Sequence, residues 1–327
     1  MEFLNDIALV FSDFANPKKR VFVGYLLLSV LIALFWLVFL RKTPIRAALG
    51  KVFNKDIFFS RSSFADYKIF LINRVFTFFI SPLLLTQVMI ATAVYLLLLR
   101  VEVIPWGAFS GLSQTSVVIW FSIAMFLADD FTKYLLHRWM HHWPMLWSIH
   151  KVHHSATTLT PVTVYRVHPL EGILYASRNA VAQGTVISLF YYMFGDRVDL
   201  VTIVGVNVLV FLFHVTGSNL RHSHISISYW PWLERVFISP AQHQLHHSIA
   251  AKHFDKNFGA ALAVWDWLFG SLHLSEDHDT ELAFGLDASE NSSEADLKTL
   301  YLTPFQEIGR RIAQPFLAIQ RRFKRVT

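Results

Sequence analysis

Long apolar stretches alternate with short polar connections along this chain, at a spacing set by a lipid bilayer. Val21 to Leu40 (VFVGYLLLSVLIALFWLVFL) runs without a charge, flanked by Lys18-Lys19-Arg20 and Arg41-Lys42. About twenty apolar residues cross a hydrocarbon core of roughly 30 Å, so this stretch predicts a membrane helix. It starts too late and is too long for the apolar part of a signal peptide, and no small-x-small cleavage site follows it. It is therefore expected to stay as an anchor. Ile69 to Leu99 is a second stretch, broken at Ser81-Pro82, and reads as one kinked crossing or a re-entrant pair. Ser116 to Leu136, Ile173 to Phe194 and the shorter Leu200 to Phe213 follow. Between the last two, Gly195-Asp196-Arg197-Val198-Asp199 is a turn-forming break that makes them a hairpin. The expected fold is all-α: a multi-pass transmembrane helical bundle carrying a cytosolic histidine-rich helical cap.

Basic residues orient the bundle. The connection from Arg41 to Lys68 holds seven Lys and Arg against Asp56 and Asp66, and Lys/Arg-rich connections lie on the cytoplasmic side. One crossing through Ile69 to Leu99 and another through Ser116 to Leu136 then return the chain to that side at His137. Composition agrees with a membrane setting, with 54% apolar residues and only 16% charged against about 25% charged in soluble proteins. The net charge of +6 sits beside membrane segments, which points to anionic lipid headgroups and away from nucleic acid. There is no cysteine, which excludes disulfides, thiolate-held iron–sulfur clusters and thiolate-ligated haem. Three regions are expected: a membrane anchor region over 1–115, a catalytic region over 116–274, and an acidic loop with a basic amphipathic tail over 275–327.

The chemistry is announced by histidine. Three clusters read His137-Arg138-Trp139-Met140-His141, His150-Lys151-Val152-His153-His154 and His243-Gln244-Leu245-His246-His247. Neutral imidazole is the commonest protein metal ligand, and helix positions i, i+3 and i+4 share a face. Eight converging imidazoles exceed the four ligands of one tetrahedral zinc and suit two metal ions side by side. Asp130 and Tyr134 fall on the helical stripe of His137 and His141 and are the candidate catalytic residues. A carboxylate at Asp130 is expected to accept the second ring N–H of a ligand imidazole. Trp139, Trp143 and Trp147, four residues apart, read as an interfacial aromatic belt.

With these residues in place, the chain resembles the fatty acid hydroxylase/sterol desaturase superfamily. The resemblance rests on Asp130-Phe131-x-x-Tyr134-x-x-His137-Arg138-x-x-His141, Leu146-Trp147-x-x-His150-Lys151-Val152-His153-His154, Arg166-x-His168-Pro169-x-Glu171 and His243-x-x-His246-His247-Ser248. Asn219-Leu220-Arg221-His222-Ser223-His224, Asn257-Phe258-Gly259 and Trp265-Asp266-x-Leu268-Phe269-Gly270 extend it. The resemblance covers about half the chain, Ser116 to Leu274. It implies an integral-membrane oxygenase with two non-haem iron ions, hydroxylating or desaturating a lipid or sterol C–H bond with O2. It implies metal ligands at His137, His141, His150, His153, His154, His243, His246 and His247. One or two further ligands are expected before the last box. His214 and His224 are taken for them ahead of His222, His214 because it ends a membrane segment at the depth of His137. Gln242 departs from the family pattern, in which a basic residue precedes the third cluster.

Electrons must come from another protein, because the chain has no Gly-rich dinucleotide motif and no flavin fold. His168-Pro169-Leu170-Glu171 is not the HPGG of a fused cytochrome b5 domain, so an external ferredoxin or cytochrome b5 with its reductase is implied. The rival readings are a metal-handling histidine-rich membrane protein or a non-catalytic relative. A zinc hydrolase of the HExxH kind lacks its motif here, a metal carrier lacks a charged crossing, and a non-catalytic relative does not need three intact clusters.

Overall fold

The computed structural model describes residues 14–17, 19–198, 218–275, 282–286 and 295–323. Among these the chain is helical, with β pairing confined to two isolated bridges, Phe237 with Leu262 and Ser248 with Phe284. The stretch Leu200 to Phe213, the candidate ligand His214 and His278 lie outside the described residues.

The anchor forms α1, Val23–Phe35, continued by a wide-turn segment, Trp36–Leu40. Tyr25, Ser29, Ala33 and Leu37 are buried at every fourth position, while Leu27, Leu31, Phe35 and Phe39 on other faces are exposed. That pattern is a helix with one stripe against protein and the rest against an apolar medium. Ala33 and Leu37 pack on Ala48 and Val52 of α2, Ile45–Val52, and on Leu220, Ile225 and Ile227. The short α3, Lys55–Phe58, is capped by Asn54 and leads to α4.

The second apolar stretch is two helices, α4, Arg61–Ile80, and α5, Gln87–Val101. Ser81-Pro82-Leu83 closes the first with a tight turn, and Leu84 is extended before Thr86 accepts from the Met89 N–H and starts the second. Proline removes the backbone donor that would continue α4. The third stretch is α6, Gln114–His142, 29 residues long, or about 43 Å at 1.5 Å per residue. Val23–Leu40, Arg61–Val101 and Gln114–His142 are the helical spans long and apolar enough to cross a membrane among the described residues.

Proline in the first turn opens both α7, Pro144–His154, and α8, Pro169–Phe194. The fourth apolar stretch lies in α8, which is sandwiched between α5 and α6. Gly184 permits this: a Cβ there would stand 2.7 Å from the Gln87 carbonyl and 2.8 Å from Ile90. On the other side Val186, Phe190 and Phe194 pack on Val117 and Phe121 of α6. The last elements are α9, Pro240–His246, α10, Val264–Leu268, and α11, Leu297–Phe323. The predicted tail helix is α11. Its first turns dock on α7, with Leu300 buried against Ile69 and Val152 and Glu307 accepting from Lys151 at 2.6 Å.

Candidate metal centre

Six of the centre's imidazoles come from two short helices with the same spacing, His150, His153 and His154 on α7 and His243 and His246 on α9 with His247 capping its end. At about 100° per residue, positions i and i+4 lie about 40° apart, whereas i+3 and i+4 are separated by about 100°. Both angles are used. His150 and His154 join His137, His141 and His246 around one position; His243 and His247 join His153 and His222 around a second. Each box therefore sends its outer pair to one position and its middle imidazole to the other. Within each group the candidate ligand nitrogens lie within 4.8 Å of one another.

The nitrogens fit a bound cation. In the four-imidazole group, Nε2 of His222 is 3.1 Å from Nε2 of His153 and 3.0 Å from that of His243, which is 3.3 Å from Nε2 of His247. Metal–imidazole bonds of about 2.0–2.1 Å give nitrogen–nitrogen edges of about 2.9 Å in an octahedron and about 3.4 Å in a tetrahedron. The observed separations fall between. In the five-imidazole group the far ring nitrogens are held. His137 Nδ1 donates to the Phe258 carbonyl (2.8 Å) and His246 Nδ1 to the Lys256 carbonyl (2.7 Å). A carbonyl only accepts, so Nδ1 carries the proton and Nε2 is left with its lone pair. His150 Nδ1 faces Glu171 Oε1 at 3.0 Å. The Nε2 atoms of His141, His150, His154 and His246 are buried with no protein partner, a costly arrangement that a metal ion relieves.

Burial, reinforced by neighbouring imidazoles, holds His150, His154, His222, His243, His246 and His247 well below the ordinary histidine pKa. Burial pushes His153 down to about 3. These rings are neutral at pH 7, the state that ligates metals.

The structure redistributes several expected roles. Among the described residues Asp130 bonds no imidazole. Its Oδ1 accepts from the Ala261 N–H (2.7 Å), and Oδ2 from the Leu262 N–H (3.0 Å) and Trp265 Nε1 (2.9 Å). It thus fixes the loop whose Phe258 carbonyl holds His137. Tyr134 accepts from Arg138 (3.0 Å) and lies 3.3 Å from the Ser271 hydroxyl, also away from both positions. Asp266 clamps the same loop through the Phe258 and Gly259 N–H groups and Ser271. Gly259 admits no side chain, since a Cβ would lie 2.6 Å from the Leu262 carbonyl. The Asn257-Phe258-Gly259 and Trp265-Asp266 motifs are thereby explained as scaffold.

His224 is directed elsewhere: its Nε2 bonds the Lys51 carbonyl at 2.8 Å and its ring meets Phe58 edge-on. His222, ranked below it from the sequence, is the one brought to the centre. Both sit in one polar run, and only the fold shows which turns inward. Gln242 takes the third position of a capping box with Ser239, donating to the Glu234 and His273 carbonyls (both 3.1 Å) and accepting from the Ser239 N–H at 2.9 Å, an acceptor role that a basic side chain could not fill. Glu171 and Arg166, in a motif noted without a role, have one each. Arg166, wholly buried, pairs with Asp66 at 2.9 Å and donates to the Val152 carbonyl and the Ser155 hydroxyl, locking the end of α7 to α4. His168 caps α8 and reaches the Tyr301 carbonyl of α11.

Two cavities flank the imidazoles. One, of about 260 Å³, is lined by Trp147, His141, His154, His246, Phe254 and Asp255 among others. The other, of about 320 Å³, runs between α6 and α8 and includes Lys133, Glu171, Arg20 and Arg221.

Residues 122–271 match the family model "Fatty acid hydroxylase". An alkylglycerol monooxygenase of Caenorhabditis elegans is 27% identical over 177 residues, 53% of this chain and 31% of that protein. A Δ(7)-sterol 5(6)-desaturase of Eremothecium gossypii is 32% identical over 156 residues, 47% of this chain and 37% of its own. The ornithine lipid hydroxylase OlsE of Rhizobium tropici is 27% identical over 144 residues, 44% and 39% of the two chains. The chain thus spans between 31% and 39% of the length of these curated relatives. No solved structure matches.

Proposed function

We propose that the chain, whose residues 122–271 match the fatty acid hydroxylase family model and whose relatives are lipid and sterol hydroxylases and desaturases, is a membrane-bound oxygenase of the fatty acid hydroxylase/sterol desaturase superfamily. It hydroxylates or desaturates a C–H bond of a lipid or sterol with O2 and electrons from a separate ferredoxin or cytochrome b5 system. The observation that carries this reading is the partition of nine imidazoles, eight of them buried and His141 half-buried, five and four about two adjacent positions at the end of the membrane-length α6. His137, His141, His150, His154 and His246 would hold one iron, and His153, His222, His243 and His247 the other. Two bound irons supply, from O2, an oxidant strong enough to take hydrogen from an unactivated C–H bond.

The protein's own part is positional. Nδ1–H groups held by Phe258 and Lys256 fix the tautomers and aim the Nε2 lone pairs. Glu171 orients His150 and raises its basicity. The cavity between α6 and α8 lies along helices that a lipid can follow from the bilayer, and buried imidazoles keep bulk water from the reacting carbon. The basic connection before α4 supports a cytoplasmic side for the centre, where reductants are available. The test is twofold: iron per chain after expression in an iron-replete host, and mass spectrometry of lipid extracts with and without the gene. About two irons and a lipid changed by the mass of one oxygen or two hydrogens are expected; one iron with full activity refutes the two-metal reading.

A further inference from the structure

Two segments next to the centre carry an apolar surface that neither the predicted spans nor the ligation scheme uses. The turn 230–237 leads into α9, and the segment 261–269 follows the Phe258 carbonyl that holds His137. They are paired edge to edge: the Ile238 N–H donates to the Ala261 carbonyl (3.0 Å) and the Ala263 N–H to the Val236 carbonyl (2.9 Å). Trp230, Trp232 and Phe237 on the first, and Trp267, Leu268 and Phe269 on the second, are exposed, four of the six by more than 60%. The Trp230 and Trp232 rings lie parallel with centroids 6.4 Å apart. The charged residues of the two segments are Glu234, Arg235 and Asp266. Glu234 and Asp266 are buried, and Arg235 turns back to donate to the Pro231 carbonyl at 3.2 Å. The backbone of the turn needs little water. The Trp230 carbonyl accepts from the Leu233 and Glu234 N–H groups, and the Leu233 carbonyl from those of Val236 and Phe237. Glu234 staples the base, accepting from the Tyr229 N–H, the Ser239 hydroxyl and the Ser275 N–H. Irregular backbone satisfied from within can sit where water is scarce.

We propose that this paired element is an interfacial wedge, seated among the headgroups and first methylenes of the leaflet that receives the C-terminal end of α6. Its level is set by α6. Asp130 lies six residues before the end of the apolar stretch at Leu136, about 9 Å at 1.5 Å per residue. It accepts from the Ala261 and Leu262 N–H groups and from Trp265 Nε1. Phe131 packs on Trp265 and Phe269, with centroids at 4.9 and 6.3 Å. Trp120 and Leu127 are exposed on α6, and at about 100° per residue both fall within about 40° of Phe131 around the helix. The face that α6 turns to lipid therefore runs directly into the aromatic surface of 261–269. Trp and Phe favour the boundary between headgroups and acyl chains, and an apolar face of this kind enters it by about 5–10 Å. A charged soluble partner would find one charge here, Arg235, whereas a leaflet asks for none. The wedge needs α6 to cross the membrane but no metal, so it goes beyond the oxygenase reading. Its effect is to tie α9, with its histidine box, and the Phe258 loop to the surface of the bilayer.

The test is a depth measurement. The native chain has no cysteine, so a single nitroxide label reports its own surroundings. Full-length Trp232→Cys and Trp267→Cys proteins are labelled and reconstituted in phosphatidylcholine–phosphatidylglycerol nanodiscs holding a single chain each. Power-saturation EPR then compares collisions with O2, which concentrates in lipid, and with a water-soluble nickel chelate. Leu127→Cys marks the lipid level on α6, and Ala251→Cys, exposed after the last histidine box, marks the aqueous one. Nickel collisions should be lost at positions 232 and 267 to the level seen at 127, and persist at 251. Nickel access at 232 and 267 equal to that at 251 overturns the proposal and leaves the surface to a soluble partner. Access lost only in discs that hold two chains overturns it in favour of a second copy. Where either variant elutes as aggregate, Trp230→Cys and Leu268→Cys carry the same comparison. Low iron or unchanged lipid extracts would sink the oxygenase reading without moving this result, which needs neither iron nor turnover.

Discussion

Asp130→Asn separates the role the helical stripe suggests for this carboxylate from the one the structure gives it. Asp130 accepts three N–H donors, from Ala261, Leu262 and Trp265, and is 3% exposed. An asparagine can turn its single oxygen to the Leu262 and Trp265 donors, which leaves its NH2 facing the Ala261 N–H. One buried donor is then orphaned, costing about 1–3 kcal/mol, and two bonds lose charge assistance at about 1 kcal/mol each. Removing a buried charge offsets part of this, so about 2–4 kcal/mol of destabilisation is expected. The loop 257–271 should loosen, and Phe258 with it, but no ligand is touched. Thermal unfolding in detergent, followed by tryptophan fluorescence, should show a lowered Tm, while the folded fraction still carries about two irons per chain. A native Tm with iron lost would refute the scaffold role and return Asp130 to direct contact with an imidazole.

His222→Ala should reduce iron to about one per chain by elemental analysis, whereas His224→Ala should leave about two; the reverse would mean the two histidines exchange places. Glu171→Gln should weaken iron binding about 10–100-fold in chelator competition, and a change under twofold would remove Glu171 from the ligand shell's support. In metal-free protein the depressed imidazoles are neutral when folded and take up protons near pH 6.5 when unfolded. Stability is therefore full above about pH 6.5 and falls as pH drops towards the folded values, about 3 for His153, by about 1.4 kcal/mol per unit per group; a Tm flat from pH 7.5 to 5 would contradict this. Thr157 and Ala251 are exposed on the segments after the two HxxHH boxes, and Ser110 is exposed on the α5–α6 connection. Cysteines at the first two should label from one side of the membrane with an impermeant thiol reagent and one at Ser110 from the other, a clean comparison because the chain has no native cysteine.

Periodicity and apolar run length located the helices because both are local properties. The Ser81-Pro82 break left a kinked crossing and a re-entrant pair both open, and the fold divides the stretch at that break into two helices, α4 and α5. Spacing also exposed the histidine boxes, since i, i+3 and i+4 define a face without any tertiary information. What spacing does not contain is the direction in which a face points once helices pack. Asp130 shares a stripe with His137, yet sits about two turns up α6, where its neighbour is the 261–265 backbone. His222 and His224 differ only in which side of an irregular turn they occupy. That turn is set by Ser223, whose hydroxyl donates to the Leu220 and Ile225 carbonyls, a contact between loop residues with no periodicity to betray it. Glu171 was visible only as a letter in a motif; its meaning needs α7 and α8 laid side by side.

The exchange of middle imidazoles between the boxes has a mechanical consequence. Were each box to serve one position, α7 and α9 could rotate or shift independently, and the distance between the two positions would be free to drift. Because His153 leaves α7 for the group anchored by α9, and His246 leaves α9 for the group anchored by α7, any rotation of either helix moves ligands at both positions at once. The restraints on those helices are correspondingly heavy. Arg166 fixes the end of α7 to Asp66, and the Ser239–Gln242 box fixes the start of α9. Two seven- to eleven-residue helices are too short to hold such geometry by their own hydrogen bonds. Their rigidity comes from buried polar contacts at their ends. Exchange thus converts two flexible ligand carriers into one coupled unit that holds the two positions at a set distance.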